Sequence, residues 1–240
     1  MGGFFGAVSA NDCVLDVFYG TDYHSHLGTR RGGMTSYSAE LGFQRNIHSI
    51  ENSPFRTKFE KDVEKMRGNI CIGCISDTDP QPIMVRSKLG LYAVCSIGII
   101  QNAKALSEEL LESGCANFET MSSGNINSGG LIGALIAQKP TFVEGIRYAQ
   151  SKIEGTMSLV IMTEDSIICA RDRAGKLPIL IGKRSDGYCF SFESFAYQKL
   201  GYETCHELKA GEITCLTKDG YEVLYEGTEE MKICTFLWTY

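Results

Sequence analysis

The chain has 240 residues, 43% of them hydrophobic, and a formal net charge of −6 at neutral pH. That is ample material for one large core, and a negative balance without a Lys/Arg cluster excludes a nucleic-acid-binding surface. No apolar run approaches the roughly 18 residues that a membrane span needs.

Short β-type runs alternate with a few amphipathic helices. Gly3–Val8 reads as the first strand, followed by a helix over Asn11–Leu27 and a strand over Gly33–Ser38. A helix over Phe55–Met66 precedes strands over Asn69–Ile75 and Gly90–Cys95. Helices come next at Ala103–Ser113, Gly129–Gln138 and Phe142–Ile153. The last sets Phe142, Ile146, Ala149 and Ile153 on one stripe, with Glu144, Arg147 and Lys152 off it. The remainder is strand: Met157–Met162, Ser166–Arg171, Pro178–Lys183, Tyr188–Phe192, Glu212–Leu216 and Tyr221–Leu224. Thr163-Glu164-Asp165 and Lys218-Asp219-Gly220 are turn material between apolar runs, which signals hairpins. No repeat, low-complexity tract or Pro/Ser linker interrupts the chain, so residues 1–240 read as one domain. Helices grouped between sets of antiparallel strands point to an α+β layered sandwich.

The N-terminus lacks the basic segment of a secretory signal, and Gly6 stands where a myristoylation start wants Ser or Thr. The reading is therefore cytoplasmic. Ten cysteines are many for such a chain, but most sit in apolar runs such as Ile167-Ile168-Cys169-Ala170, as small buried hydrophobes do. Cys71 and Cys74 have a metal-like spacing without the second pair a zinc ribbon needs, and on a strand they face opposite sides. No metal or cofactor is expected. His24-Ser25-His26 reads as a solvated turn after a helix, and Asp62 with Lys65 as a charge pair on a wet helix face. Arg171-Asp172 reads as a structural turn with an ion pair.

Blocks along the whole chain carry a resemblance. Met1-Gly2-Gly3-Phe4-Phe5-Gly6 opens it, and Asp16-Val17-Phe18-Tyr19-Gly20 with Arg31-Gly32 follows. Gly68–Pro82 contains Gly73 and Gln81-Pro82, and Ser96-Ile97-Gly98-Ile99-Ile100-Gln101-Asn102 comes after it. Then come Gly155-Thr156-Met157-Ser158, Arg171-Asp172 with Gly175 and Pro178, Glu193-Ser194 with Ala196, and Ala210-Gly211-Glu212-Ile213. In this order they resemble class II glutamine amidotransferases, above all the N-terminal glutaminase domain of amidophosphoribosyltransferase. Cys234-Thr235-Phe236 is similar to the strand where that domain hands over to its transferase domain. The resemblance implies the N-terminal-nucleophile hydrolase fold, a four-layer α-β-β-α sandwich of antiparallel sheets.

The same resemblance shows which chemistry is missing. Members of the family expose an N-terminal Cys whose thiol attacks glutamine and whose free amine serves as base; here that position is Gly2, which offers no nucleophile. The family's oxyanion donors are an Asn side chain and the following Gly backbone; here they overlay on Ile97 and Gly98. An Ile cannot donate, and losing one such donor costs about 10²–10³ in rate. Ser76 overlays on the Arg that grips the substrate carboxylate, with Asp77 beside it, and Ser128 overlays on the Asp that holds the substrate amine. Arg31 and Gly32 survive.

Several readings follow. In the first, the domain keeps the scaffold but has lost glutamine hydrolysis. It then serves a structural or regulatory role, for example beside a phosphoribosyltransferase domain or subunit of purine biosynthesis absent from this chain, or in a homo-oligomer. The second is an active amidotransferase or amidohydrolase with a relocated nucleophile, for which Cys74 and Cys95 are the candidates. The third is a sensor that reuses the emptied pocket for another small ligand, in surroundings made apolar by Ile97, Ile99 and Ile100.

Overall fold

The computed structural model describes residues 2–114, 118, 124–232 and 235. The chain runs β1 (Gly2–Ser9), α1 (Val14–Tyr23), β2 (Arg31–Ser38), β3 (Gly42–Ser49), α2 (Phe55–Val63) and β4 (Ile70–Ser76). It continues through β5 (Ile83–Ser87), β6 (Gly90–Ile100), α3 (Ala103–Glu112), α4 (Ser128–Ile136), α5 (Phe142–Lys152) and β7 (Gly155–Met162). The last elements are β8 (Ile167–Ala170), β9 (Leu180–Arg184), β10 (Gly187–Ser191), α6 (Phe195–Gln198), β11 (Glu203–Glu207), β12 (Ile213–Leu216) and β13 (Tyr221–Tyr225).

Two antiparallel sheets lie face to face. One has seven strands in the order β11-β9-β10-β1-β4-β2-β3, the other six in the order β13-β12-β8-β7-β6-β5. Side chains alternate across β1, so Phe4 packs between the sheets and Phe5 against the helices. Both rings are fully buried, which stabilises the fold by roughly 2–3 kcal/mol each. The inter-sheet layer also takes Ile72 and Cys74 from β4, Cys95 and Ile97 from β6, and Val160 from β7. Outside the first sheet, Val17, Phe18, Phe55 and Phe59 of α1 and α2 cover Cys71 and Ile75. Outside the second, Leu106, Leu131, Ile132 and Ile146 of α3 to α5 cover Val94 and Leu159. The result is the α-β-β-α sandwich. Cys71 and Cys74 do fall on opposite faces of β4.

Differences from the sequence reading have local causes. The first helix is shorter than Asn11–Leu27 because Asp12 is held outside it: its carboxylate accepts the N–H of Val14 at 3.1 Å and of Gly68 at 2.9 Å. After Tyr23 the chain tightens into a 3₁₀ turn over His24–His26. β3, β5 and β11, not expected from the sequence, lie at sheet edges; β3 and β5 are only partly buried and β11 is mostly exposed. Asp62 does not pair with Lys65; its carboxylate meets His48 Nε2 at 2.6 Å. Cys234 and Phe236 lie outside the described residues. At the rim, Glu212 is fully buried just before β12, and its carboxylate accepts from the N–H of Lys209 at 3.0 Å and the hydroxyl of Thr214 at 2.7 Å. It also meets His206 Nε2 at 2.6 Å, tying edge strand β11 of one sheet to β12 of the other. No helix among the described residues is long and apolar enough to cross a membrane.

Candidate functional site

Backbone register assembles the positions singled out by the sequence. Gly2 of β1 lies opposite Ser76 of β4, and Ser76 lies opposite Arg31 of β2, so the three form one row across the seven-stranded sheet. Ile97 and Gly98 come from β6 of the other sheet, opposite Ser158 and Met157 of β7. Like Phe4, residue 2 faces the layer between the sheets. A β-carbon there would collide with the carbonyl oxygen of Ile75 and would stand 2.9 Å from Cδ1 of Ile97. Ile97 is only 6% exposed, so its side chain fills the space over Gly2. Gly2 and Ile97, which the resemblance sets at a nucleophile and an oxyanion position, are therefore brought together, and Ile97 covers Gly2.

Ser76 and Ser128, which the resemblance sets at substrate-clamp positions, are joined through a residue the sequence reading did not single out. Ser76 Oγ accepts the N–H of Thr78 and of Asp79, each at 3.2 Å, and turns the chain out of β4. Asp79, 5% exposed, extends its carboxylate to the N–H of Ser128 at 3.1 Å, at the start of α4. Anionic charge is favoured at a helix N-terminus. Asn127 completes the cap, accepting the N–H of Gly129 at 2.8 Å and donating to the Pro80 carbonyl at 3.0 Å. Thus a carboxylate does stand beside Ser128, supplied by the β4–β5 loop. The run Ser76-Asp77-Thr78-Asp79-Pro80 is the sequence signal for this turn. Gln81 then docks the loop on β6: it accepts the Ser96 N–H at 2.6 Å and donates to the Ser96 carbonyl at 2.9 Å.

The other expected positions fall as follows. Arg31 is exposed at the end of β2, while Gly32 lies against the Phe55 ring on the helix side. Asp77 accepts the N–H of Thr29 at 2.8 Å. Burial is the largest influence on its carboxyl and pushes the pKa up, but hydrogen bonds, including those from Thr29 and Arg30, outweigh it and hold the group below its ordinary range.

His24 is not a solvated turn residue. It is fully buried, its ring lies 2.6 Å from where a β-carbon on Gly3 would sit, and it belongs to a polar chain behind β1. Nδ1 bonds the Gly20 carbonyl at 2.7 Å; a carbonyl only accepts, so Nδ1 holds the proton and Nε2 accepts the Ser191 hydroxyl at 3.1 Å. Burial lowers its pKa to about 4. His26 is exposed and meets Glu193 at 3.1 Å. Glu193 also accepts from Tyr23, whose phenol is pushed up to about 12 by burial and by that carboxylate.

Cys74 and Cys95 are 1% and 0% exposed in the inter-sheet core, and burial pushes the Cys95 thiol well up. Thiols in such surroundings are poor nucleophiles. Arg171 and Asp172 are both buried, and they serve separate partners. Arg171 bonds the carbonyls of Leu208 and Gly175 and pairs with Glu207 at 3.2 Å. Asp172 accepts the N–H of Ala174 and of Lys176, each at 2.9 Å. Among the described residues no three His, Cys, Asp or Glu side chains are grouped to hold a metal ion.

Residues 66–198 match the family described as a glutamine amidotransferase domain. An amidophosphoribosyltransferase of Staphylococcus epidermidis is 32% identical over 208 residues, which cover 83% of this chain and 38% of that protein. One from Archaeoglobus fulgidus is 25% identical over 234 residues, covering 93% of this chain and 50% of that protein. The chain thus spans about half the length of the curated relatives it matches. Among solved structures, a glutamine phosphoribosylpyrophosphate amidotransferase from B. subtilis superposes with a TM-score of 0.86 at 23% identity, over 99% of this chain and 52% of that one. A class-II glutamine aminotransferase domain protein from Silicibacter pomeroyi gives a TM-score of 0.63 at 11% identity, over 94% and 99% of the two chains.

Proposed function

The chain belongs to the glutamine amidotransferase domain family, and from that premise we propose that it is a member which no longer hydrolyses glutamine and persists as a structural or regulatory domain. The observation that carries this reading is the closure of Gly2 beneath the Ile75 carbonyl and the Ile97 side chain. Amide hydrolysis at an N-terminal residue needs a nucleophile one carbon from the α-amine and donors aimed at the developing oxyanion. Gly2 supplies no side-chain atom, and the wall facing it is a hydrocarbon that donates nothing. Ser76, at the place of a carboxylate-gripping Arg, is engaged in holding the N–H groups of its own turn.

In this reading residues 1–240 form one amidotransferase-type domain. The greater length of the relatives, named amidophosphoribosyltransferases, supports a phosphoribosyltransferase domain or subunit as its partner. Such a partner would take free ammonia instead of ammonia released from glutamine. The test is incubation with glutamine while glutamate and ammonia are followed, with intact-mass analysis after exposure to a glutamine-analogue diazoketone. No turnover and no adduct are expected. Glutamate release above the uncatalysed rate, or a stoichiometric adduct, would overturn the proposal.

A further inference from the structure

Two surface cavities of about 470 and 570 Å³ share Gln150, Arg173 and Thr228 and so make one two-lobed groove. The smaller lobe adds Arg147 of α5 and Tyr225 of β13; the larger adds Lys232. Among the described residues none of these three cations forms an ion pair with a carboxylate. Three carboxylates also reach the walls. Asp172 is turned onto the N–H groups of Ala174 and Lys176, and Glu226 and Glu230 are exposed.

The Arg147 guanidinium lies over the Tyr225 ring, 4.2 Å from its centroid. Stacking fixes the orientation of the planar group and leaves its N–H edge available. Arg173 donates one N–H to the Gln150 carbonyl at 3.4 Å, and among the described residues most of its five donors are unmatched. Two guanidiniums on one concave wall, one fixed by an aromatic face, suit bidentate binding of phosphate oxygens. We propose that this groove binds a small phosphorylated molecule, with its phosphate between Arg147 and Arg173. The assignment is independent of whether glutamine is hydrolysed at Gly2.

Isothermal titration of the whole chain with inorganic pyrophosphate tests it, with a hexose phosphate and a nucleoside monophosphate as parallel arms. Saturable one-to-one binding of at least one of the three is expected. Arg147→Gln and Arg173→Gln should each weaken it about tenfold or more, as loss of a charge-assisted hydrogen bond does. Arg173→Lys should recover part of the loss, and Arg86→Gln, an exposed change on β5 outside the groove, should leave binding as it was. Unchanged melting temperatures would show that the variants remain folded. The arm that binds most tightly identifies the source of the phosphate. Absence of saturable binding in all arms, or equal weakening by Arg86→Gln, would overturn the proposal.

Discussion

Ile97, on one sheet, holds its δ-carbon 2.9 Å from the point where a β-carbon on Gly2, on the other sheet, would sit. The absence of a side chain at residue 2 and of a polar group at residue 97 are thus one packing arrangement seen from two sides. Replacing Gly2 alone therefore meets resistance from both a backbone carbonyl and a buried hydrocarbon.

Gly2→Cys should leave glutamine untouched and lower stability by about 2 kcal/mol, the usual cost of overpacking. Combining it with Ile97→Ala should relieve part of that cost, with a coupling of about 1 kcal/mol, because the methyl contact disappears while the Ile75 carbonyl stays. Denaturant unfolding of the two single variants and the double variant measures this. Strict additivity would show that the two positions do not press on each other.

Acid should expose the buried His24. Its folded pKa is about 4, below the ordinary value of 6.5, so between those values the unfolded chain binds a proton that the folded chain does not. Stability from this group is complete above about pH 6.5 and falls as the pH drops toward 4, by about 3 kcal/mol in all. His24→Gln should be less stable at neutral pH but show a flatter profile across that window. A wild-type profile with no His24-dependent slope there would contradict the neutral, buried imidazole.

Asp79 should matter for α4 more than for any other helix. Asp79→Ala removes the acceptor from the Ser128 N–H and should cost about 1–2 kcal/mol. Asp79→Asn, which keeps a carbonyl acceptor, should cost less. Amide exchange should quicken at Ser128 and along the first turn of α4. Exchange that rises equally throughout the protein would point to global destabilisation instead.

Glu212 should tolerate substitution poorly. Glu212→Ala strands the N–H of Lys209, the Thr214 hydroxyl and His206 at once, and should cost about 3 kcal/mol. Thermal unfolding measures it. A loss below about 1 kcal/mol would show that water replaces the carboxylate readily at this rim.

The sequence exposed the parts of this fold that are covered on both sides. β1, β4 and β6 read as strands because long stretches of apolar residues leave no other economical arrangement. β3 and β11 did not, since Gln44, Arg45, Asn46 and His48, or Glu203, Thr204 and His206, are what a solvent-facing edge carries. At the site, that residue 2 carries no thiol and residue 97 no amide was legible from residue identity alone. The approach of the Ile75 carbonyl and the reach of Asp79 to α4 were not, because both depend on where a neighbouring strand or loop passes. His24 misled for the same reason: only the arrival of β10 with Ser191 turns a polar turn into an interior.

The packing of Ile97 over Gly2 also makes the two positions interdependent. A cysteine introduced alone at residue 2 meets the Ile75 carbonyl and the Ile97 side chain. An asparagine introduced alone at residue 97 puts an amide among buried hydrocarbons. A variant meant to build chemistry at this end of β1 therefore has to change both sheets in one step.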